Sequence, residues 1–124
     1  MKITITGSMK FYSQFQELKK QLEKLNHQVI IPLPDEHYDN SNQTKKQAMI
    51  DFNKNLEDSN AILVANYKKN NQPNYIGINS IMEIGMAFNK NKKIFILNQI
   101  PDNCKDELIA IEAIELNHDL NQLK

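Results

Sequence analysis

The sequence predicts a flavodoxin-like α/β domain, doubly wound around a parallel sheet of four or five strands. Short β-branched or apolar runs alternate along the 124 residues with segments whose apolar residues recur at helical spacing. The run Ala61–Ala65 (AILVA) is apolar at every position, as expected of a strand that is covered on both faces of a parallel sheet. Alternating strands and helices join through right-handed crossovers, which gives this fold class. No repeat or linker interrupts the pattern, so residues 1–124 are expected to form one domain.

Each predicted strand is a short apolar or β-branched run bounded by turn residues. In chain order they are KITIT (Lys2–Thr6), which ends at Gly7-Ser8; HQVIIPL (His27–Leu33), which prolines close; AILVA (Ala61–Ala65); KIFIL (Lys93–Leu97); and a short edge strand at Ile114–Leu116. The first and third strands are expected to be adjacent, because the connections between strands are long enough for helical crossovers.

Four helices are predicted from apolar residues that recur every three or four positions. The first carries Phe11, Phe15, Leu18, Leu22 and Leu25 on one face, and the others are Lys45–Glu57, Ile81–Asn89 and Lys105–Ile111. Between the second strand and the second helix, Asp35–Thr44 is polar apart from Tyr38, which predicts an exposed loop.

Composition excludes several classes of protein. The formal charge is zero and all fifteen basic residues are lysines, so no arginine is present to grip a guanine edge, and a dedicated nucleic-acid binder is not expected. The one cysteine, Cys104, cannot form an internal disulfide, and neither a signal peptide nor an apolar stretch of membrane-spanning length is present. We therefore expect a soluble cytoplasmic protein that does not associate with membranes.

The predicted architecture indicates where a ligand would bind. Open α/β sheets bind ligands beyond the carboxyl ends of their strands, where Gly7-Ser8-Met9, the loop from Pro34, the turn Asn66–Asn79 and Asn98 are expected to meet. Gly7-Ser8 either presents N–H groups and a hydroxyl to the ligand or forms only a tight turn. Neither the dinucleotide fingerprint nor the P-loop pattern occurs, so no such cofactor is expected.

The stretch NYIGINSIMEIGMAF (Asn74–Phe88) carries a glycine turn into an amphipathic helix, with Glu83 expected in the first turn of that helix. A helix N-terminus favours an anionic or polar ligand, toward which Glu83 would act as nucleophile or acid/base. The other interpretation is a capping box, in which Ser80 caps the helix and Glu83 reaches back to the Ser80 N–H. The residues alone favour the capping box.

Four segments, AILVAN, NYIG, NSIMEIGMAF and KKIFIL, resemble the core of the nucleoside 2-deoxyribosyltransferase-like superfamily, which includes the 2′-deoxynucleoside 5′-phosphate N-hydrolases. The resemblance implies a flavodoxin-like fold, a homodimer or larger homo-oligomer, and cleavage of an N-glycosidic bond of a nucleoside or nucleotide. It gives Glu83 the position of the nucleophile and places Asp51 near the second carboxylate, which contacts the base or leaving group. With the resemblance included, the interpretation of Glu83 as the nucleophile is favoured over the capping box.

The sequence departs from the family pattern at three places. The Gly-x-Gly-x-Glu spacing of the hydrolases is longer here, running from Gly77 to Glu83. Thr4 stands where the hydrolases have a catalytic tyrosine, and Asn60 stands where an aspartate often opens the third strand.

Other residues are predicted to contact the substrate, and several of them also have a purely structural interpretation. Tyr75 would stack on the base or sugar, or else pack beneath its own loop. Asn79 and Asn98 would hold hydroxyls, although Asn79 is also a common turn former. Lys68-Lys69 are either solvated charges or attract a phosphate toward the mouth of the site.

The remaining candidates are weaker. His27, His37 and His118 lack metal-ligand spacing, so no metal site is expected, and His37 lies on a loop that either closes over a ligand or is simply solvated. Cys104 is near a helix start, which would lower its pKa, but no base accompanies it.

Two further functions remain open besides N-glycosidic cleavage or transfer: a non-enzymatic nucleotide-binding module and a purely structural protein.

The third predicted helix also bears on assembly. It has apolar residues on more than one face, which predicts dimerisation: Ile81, Met82, Ile84, Met86 and Phe88.

Overall fold

The computed structural model describes residues 1–34 and 41–124 and is built on a five-stranded parallel sheet. The strands are β1 (Lys2–Thr6), β2 (Gln28–Ile30), β3 (Ala61–Val64), β4 (Lys93–Ile96) and β5 (Ile114–Glu115), and their order across the sheet is β2-β1-β3-β4-β5. Ile3 pairs with Ala61 and Thr6 with Val64, so β1 and β3 are parallel neighbours. The predicted fold class and strand adjacency are confirmed.

Four α-helices connect these strands: α1 (Tyr12–Lys24), α2 (Asn42–Glu57), α3 (Ile78–Asn89) and α4 (Lys105–Ala110). A 3-10 turn, Met9–Phe11, precedes α1. None of the helices in the described part of the chain is long and apolar enough to cross a membrane.

The second helix begins earlier than predicted. Ser41 is its N-cap, and the Ser41 side chain accepts a hydrogen bond from the Thr44 N–H at 3.2 Å. Such a cap satisfies a donor that the first helical turn leaves unpaired. The predicted exposed loop is therefore wrong over residues 42–44, and the rest of it, including His37, lies mainly in residues 35–40, outside the described residues.

The third helix also begins three residues earlier than predicted, at Ile78, and its N-cap is Gly77. Ser80 is consequently the third residue of the helix rather than its cap, and Glu83 lies in the second turn. The capping-box interpretation is wrong, because the chain enters the helix at Gly77 and leaves Ser80 with helical neighbours on both sides. The placement of Glu83 in the first turn is wrong for the same reason.

The core has one layer on each face of the sheet. On one face, α1 packs through Phe15, Leu18 and Leu22 against alternate residues of the strands, including Ile3 and Ile5 of β1. On the other face, α2, α3 and α4 pack against a second set of strand residues: Ile62, Val64, Ile94 and Ile96. Side chains alternate along a strand, so Thr4 and Thr6 of β1 point to this second face.

Part of the α3 surface has no apolar cover. Ile78 is 82% exposed, and Ile81, Met82 and Phe88 are also exposed, whereas Ile84 is buried in the core. These four side chains lie on the outer side of one helix, so association of two copies would remove them from water. We expect a dimer, and light scattering at tens of micromolar should give about twice the mass of the chain. A monomeric mass over that range would contradict the prediction.

Candidate active site

A cleft of about 1260 Å³ opens beyond the carboxyl end of β1, between α2 and α3. In the order β2-β1-β3-β4, the connection from β1 leads to one side of the sheet and the connection from β3 leads to the other, and open α/β sheets bind ligands at such a switch point. Eight of the nine residues predicted for the site line this cleft: Gly7, Ser8, Met9, Asp51, Tyr75, Gly77, Asn79 and Glu83.

Burial strongly perturbs the carboxyl group of Glu83. Its side chain is mostly buried, and the hydroxyl of Thr6 donates a hydrogen bond to Glu83 Oε1 at 2.8 Å. Burial raises the pKa of Glu83 to about 7, because a charged carboxylate loses its water there, while the Thr6 hydrogen bond acts in the opposite direction. This carboxyl group therefore titrates near neutral pH rather than at the acidic pH usual for glutamate.

Asp51 faces the same cleft from α2, on the side opposite the helix that carries Glu83. The Gln47 side-chain amide, one turn earlier, donates a hydrogen bond to Asp51 Oδ1 at 2.9 Å. Among the described residues, the cleft thus presents two carboxyl groups from two helices, which is the minimum set for a reaction that needs a nucleophile and a second group at the leaving atom.

The turn after β1 is built around Gly7. Its φ is +153°, and a Cβ atom there would come within 2.9 Å of the Ala65 carbonyl oxygen and 3.3 Å of the Phe15 ring. Only glycine fits this approach between two strands. Ser8 caps the following 3-10 turn, since its Oγ accepts from the Lys10 N–H at 3.4 Å. These residues form a tight turn that also lines the cleft.

Tyr75 lines the cleft beside the start of α3 and supports that start. Its hydroxyl lies 2.8 Å from where a Cβ of Gly77 would be, so the absence of a side chain at Gly77 makes room for the phenol. The Tyr75 N–H donates to the Tyr67 carbonyl at 2.9 Å. Tyr75 also packs against the core, so the structure combines the packing interpretation with exposure to the cleft.

Two solved structures have the same fold over most of the chain. The 2-deoxyribosyltransferase from the psychrotolerant bacterium Bacillus psychrosaccharolyticus matches with a TM-score of 0.62 at 11% identity, over 83% of this chain and 78% of that enzyme. The CMP N-glycosidase BcmB of Clostridium botulinum matches with a TM-score of 0.60 at 17% identity, over 94% and 89% of the two chains. This chain shares their fold.

At these identities the similarity shows the fold alone, and it confirms the flavodoxin-like fold that the resemblance implied. No protein-family model matches the sequence, and no curated protein matches it either.

The residues that depart from the family pattern have structural partners. The hydroxyls of Thr4 and Ser59 lie 2.7 Å apart, and Ser59 Oγ donates to the Asn55 carbonyl at 2.7 Å. Because the Ser59 proton is used there, Thr4 is the donor to Ser59, and its proton points away from the cleft. Asn60 Oδ1 accepts from the Lys2 N–H at 2.8 Å, which ties the start of β1 to the start of β3.

Asn98 is not among the described residues that line the cleft. Its backbone N–H donates to Asn66 Oδ1 at 2.8 Å, and its side-chain amide donates to the Asn66 carbonyl at 3.1 Å. His118 Nδ1 lies 3.3 Å from Asn98 Oδ1. Asn66 is fully buried and also bonds the Gln99 carbonyl, so this cluster holds the ends of β3 and β4 together.

The pKa of the Cys104 thiol differs from the expectation drawn from the sequence. Burial, with Glu107 as a second cause, raises the pKa of the Cys104 thiol, so the expectation that a nearby helix start would lower it is wrong. Cys104 is the N-cap residue of α4, but its side chain is buried in the core near the Glu107 carboxylate, and these two effects outweigh that of the helix start. Among the residues that the structure describes, no three His, Cys, Asp or Glu side chains are grouped as a metal site.

Thr6 is the site residue that the sequence analysis missed. The signal was present in KITIT, where isoleucines alternate with threonines and therefore place two hydroxyls on one face of β1. Buried hydroxyl groups are nearly always hydrogen-bonded, so two threonines on a buried strand face indicate that polar groups lie opposite them. For Thr6 that partner is Glu83, and for Thr4 it is Ser59.

Proposed function

We propose that this protein cleaves or transfers the N-glycosidic bond of a nucleoside or nucleoside monophosphate, with Glu83 as the nucleophile. The observation that carries the proposal is the state of Glu83: a mostly buried carboxyl group, held by Thr6, with a pKa raised to about 7, on the wall of a cleft at the switch point of the sheet. Perturbed carboxyl groups in clefts are concentrated at active sites.

The choice of substrate class is supported by the fold. The two similar structures are a 2-deoxyribosyltransferase and a CMP N-glycosidase, and both reactions act at an N-glycosidic bond. Ligand pockets usually enclose several hundred Å³, so a cleft of about 1260 Å³ is large enough for a nucleotide and for a second base or water.

The reaction follows the logic of retaining glycosidases. In the first step, an oxygen of the Glu83 carboxylate forms a bond to C1′ as the bond from C1′ to the base nitrogen breaks. The base leaves with that electron pair and takes up a proton, and the sugar remains bound to Glu83 as an ester. In the second step, water or a second base attacks C1′, the ester bond breaks, and the Glu83 carboxylate is restored.

Asp51 is assigned to the base side of this reaction. It approaches the cleft from α2 while Glu83 approaches from α3, so a sugar attacked by Glu83 would have its base directed toward the opposite wall. Hydrogen bonding from Gln47 fixes the orientation of the Asp51 carboxyl group, as positioning a leaving group requires. Asp51 thus orients the base or delivers a proton to it.

The test is release of free base, measured by liquid chromatography, from a panel of nucleosides and their monophosphates with ribose and deoxyribose. Parallel reactions containing a second free base separate transfer from hydrolysis. Peptide mapping of rapidly quenched protein should find the added sugar mass on the peptide that contains Glu83. If no member of the panel loses its base while nucleotides still bind, the protein is a binding module instead.

Replacement of Thr6 by Val should change the pH dependence of base release. The Thr6 hydroxyl stabilises the ionised form of Glu83, so its removal leaves burial unopposed and raises the pKa of Glu83 further above 7. The nucleophile must be ionised, so activity rises with pH through this pKa. We expect the midpoint of the rate profile to move to higher pH by about one to two units, since a hydrogen bond to a charged group is worth about 1.5–3 kcal/mol and one pKa unit corresponds to about 1.4 kcal/mol.

Thr6→Ser is the matched control, because serine keeps the hydroxyl and should keep the midpoint of the wild type. A Thr6→Val protein with lowered activity at every pH and an unmoved midpoint would contradict the role of this hydroxyl. Such a result would indicate that Thr6 acts only in packing.

A further inference from the structure

The charges that line the cleft are unevenly distributed. The whole chain has fifteen lysines and fifteen acidic residues. Of the described residues around the cleft, five are lysines and two are acidic, Asp51 and Glu83. The five are Lys10, Lys45, Lys46, Lys54 and Lys69. A cleft lined by an excess of one charge concentrates ligands of the opposite charge.

The backbone of Lys69 is held by a two-residue turn. The N–H of Lys69 donates to the Gln72 carbonyl at 3.0 Å, and the N–H of Gln72 donates to the Lys69 carbonyl at 2.9 Å. The two residues between them, Asn70 and Asn71, have φ values of +50° and +63°. Positive φ at both central positions is the geometry of a type I′ turn, which asparagine tolerates well.

The ammonium group of Lys69 is also held in place. It lies 4.6 Å from the centroid of the Tyr75 ring, over its face, which is a cation–π contact. Lys69 is partly buried, whereas the other four cleft lysines are exposed. Among residues 1–34 and 41–124, no carboxylate forms a salt bridge with Lys69. The result is a positive charge that is ordered before any ligand arrives, on the same wall of the cleft as Tyr75 and Gly77.

We propose that this site selects a nucleoside that carries a phosphate monoester, and that Lys69 binds the phosphate. This inference rests on the proposed function, and it names the phosphate state of the substrate. The chain has no arginine to bind phosphate through two parallel hydrogen bonds. Lysine binds phosphate as a point charge, so the ordered ammonium group of Lys69 can bind it instead. Ordering by Tyr75 lowers the entropy lost when the phosphate binds.

The neighbouring residue supplies the matched control. Lys68 is exposed, and it is absent from the described residues that line the cleft. Lys69→Met and Lys68→Met each remove one charge from the same turn, so they alter the net charge of the protein equally. Lys69→Arg keeps the charge and the contact with Tyr75.

The experiment measures two quantities for a nucleoside and its 5′-monophosphate, with the base chosen from the panel above. The first is kcat/KM for base release by the wild type and the lysine variants. The second is Kd by calorimetry in a Glu83→Gln background, which does not depend on turnover. Both are measured at about 20 mM and about 300 mM salt.

We expect the wild type to prefer the monophosphate by about tenfold or more at low salt, and high salt should reduce this preference. Lys69→Met should lower the preference roughly three- to tenfold, as expected for loss of one partly exposed charge contact. Lys69→Arg should retain most of it, and Lys68→Met should match the wild type.

Failure of this inference is distinguishable from failure of the proposed function. Base release that is as efficient from the nucleoside as from the monophosphate would overturn phosphate selection and leave the glycosidic reaction intact. Equal effects of Lys68→Met and Lys69→Met would overturn the assignment of Lys69. Tight binding of the monophosphate that depends on Lys69, without base release by the wild type, would support phosphate recognition and reject the reaction.

Discussion

Glu83→Gln should reduce base release by at least about a thousandfold while the protein remains folded, if Glu83 is the nucleophile that we propose. Glutamine has nearly the same shape, and its amide oxygen still accepts the 2.8 Å hydrogen bond from Thr6. It has no negative charge to attack C1′. Activity should therefore fall through kcat, since the interaction lost is made with the reacting carbon rather than with distant parts of the substrate.

Two further variants separate a nucleophile from other roles. Asp51→Asn should reduce kcat less than Glu83→Gln, because Asp51 is assigned to orienting or protonating the base rather than to bond formation at C1′. Glu83→Ala leaves space in the cleft for a small carboxylate, and added formate should partly restore base release by attacking C1′ in place of Glu83. Base release by Glu83→Gln at the rate of the wild type, with deamidation excluded by mass spectrometry, would refute the proposed mechanism.

The fold was predictable because a strand that is buried on both faces of the sheet is apolar at every position. AILVA has no polar position, and in the structure β3 is central and completely buried. The starts of α2 and α3 were less predictable, and both helices begin three residues before their predicted starts at Lys45 and Ile81. Ser41 and Gly77 set these starts through local capping geometry, which does not depend on hydrophobic spacing.

The site was predictable in its location but not in its hydrogen bonds. The resemblance predicted Glu83 and Asp51 as site residues, and in the structure both line the same cleft. Local pattern alone favoured a capping box for Glu83, because Ser-x-x-Glu is short and common. The actual partner of Glu83, Thr6, is 77 positions away in the sequence. Contacts across that separation depend on which face of β1 is turned toward α3, so no local motif encodes them.

The second large effect expected from Glu83 concerns stability rather than activity. The pKa of its carboxyl group is raised from an ordinary value of 4.5 to about 7 in the folded protein. Between these values the unfolded chain releases the proton while the folded protein retains it, so unfolding becomes easier as pH rises. Above pH 7 both states are ionised, and the loss is constant. At 1.36 kcal/mol for each unit of pKa, the loss amounts to at most about 3 kcal/mol.

Glutamine has no proton to lose, so Glu83→Gln should be more stable than the wild type at about pH 8, by roughly 1–3 kcal/mol, and nearly equal to it at about pH 4.5. Urea unfolding of both proteins at several pH values in this range measures the difference directly. Asp51→Asn serves as the comparison variant, because a gain at pH 8 that is specific to position 83 identifies the carboxylate buried against Thr6 as its source. A free energy of unfolding for Glu83→Gln that stays parallel to that of the wild type from pH 4.5 to 8 would show that Glu83 ionises in the folded protein at its ordinary pKa. In that case the cleft would hold a fully charged carboxylate at every physiological pH, and base release would not rise through pH 7.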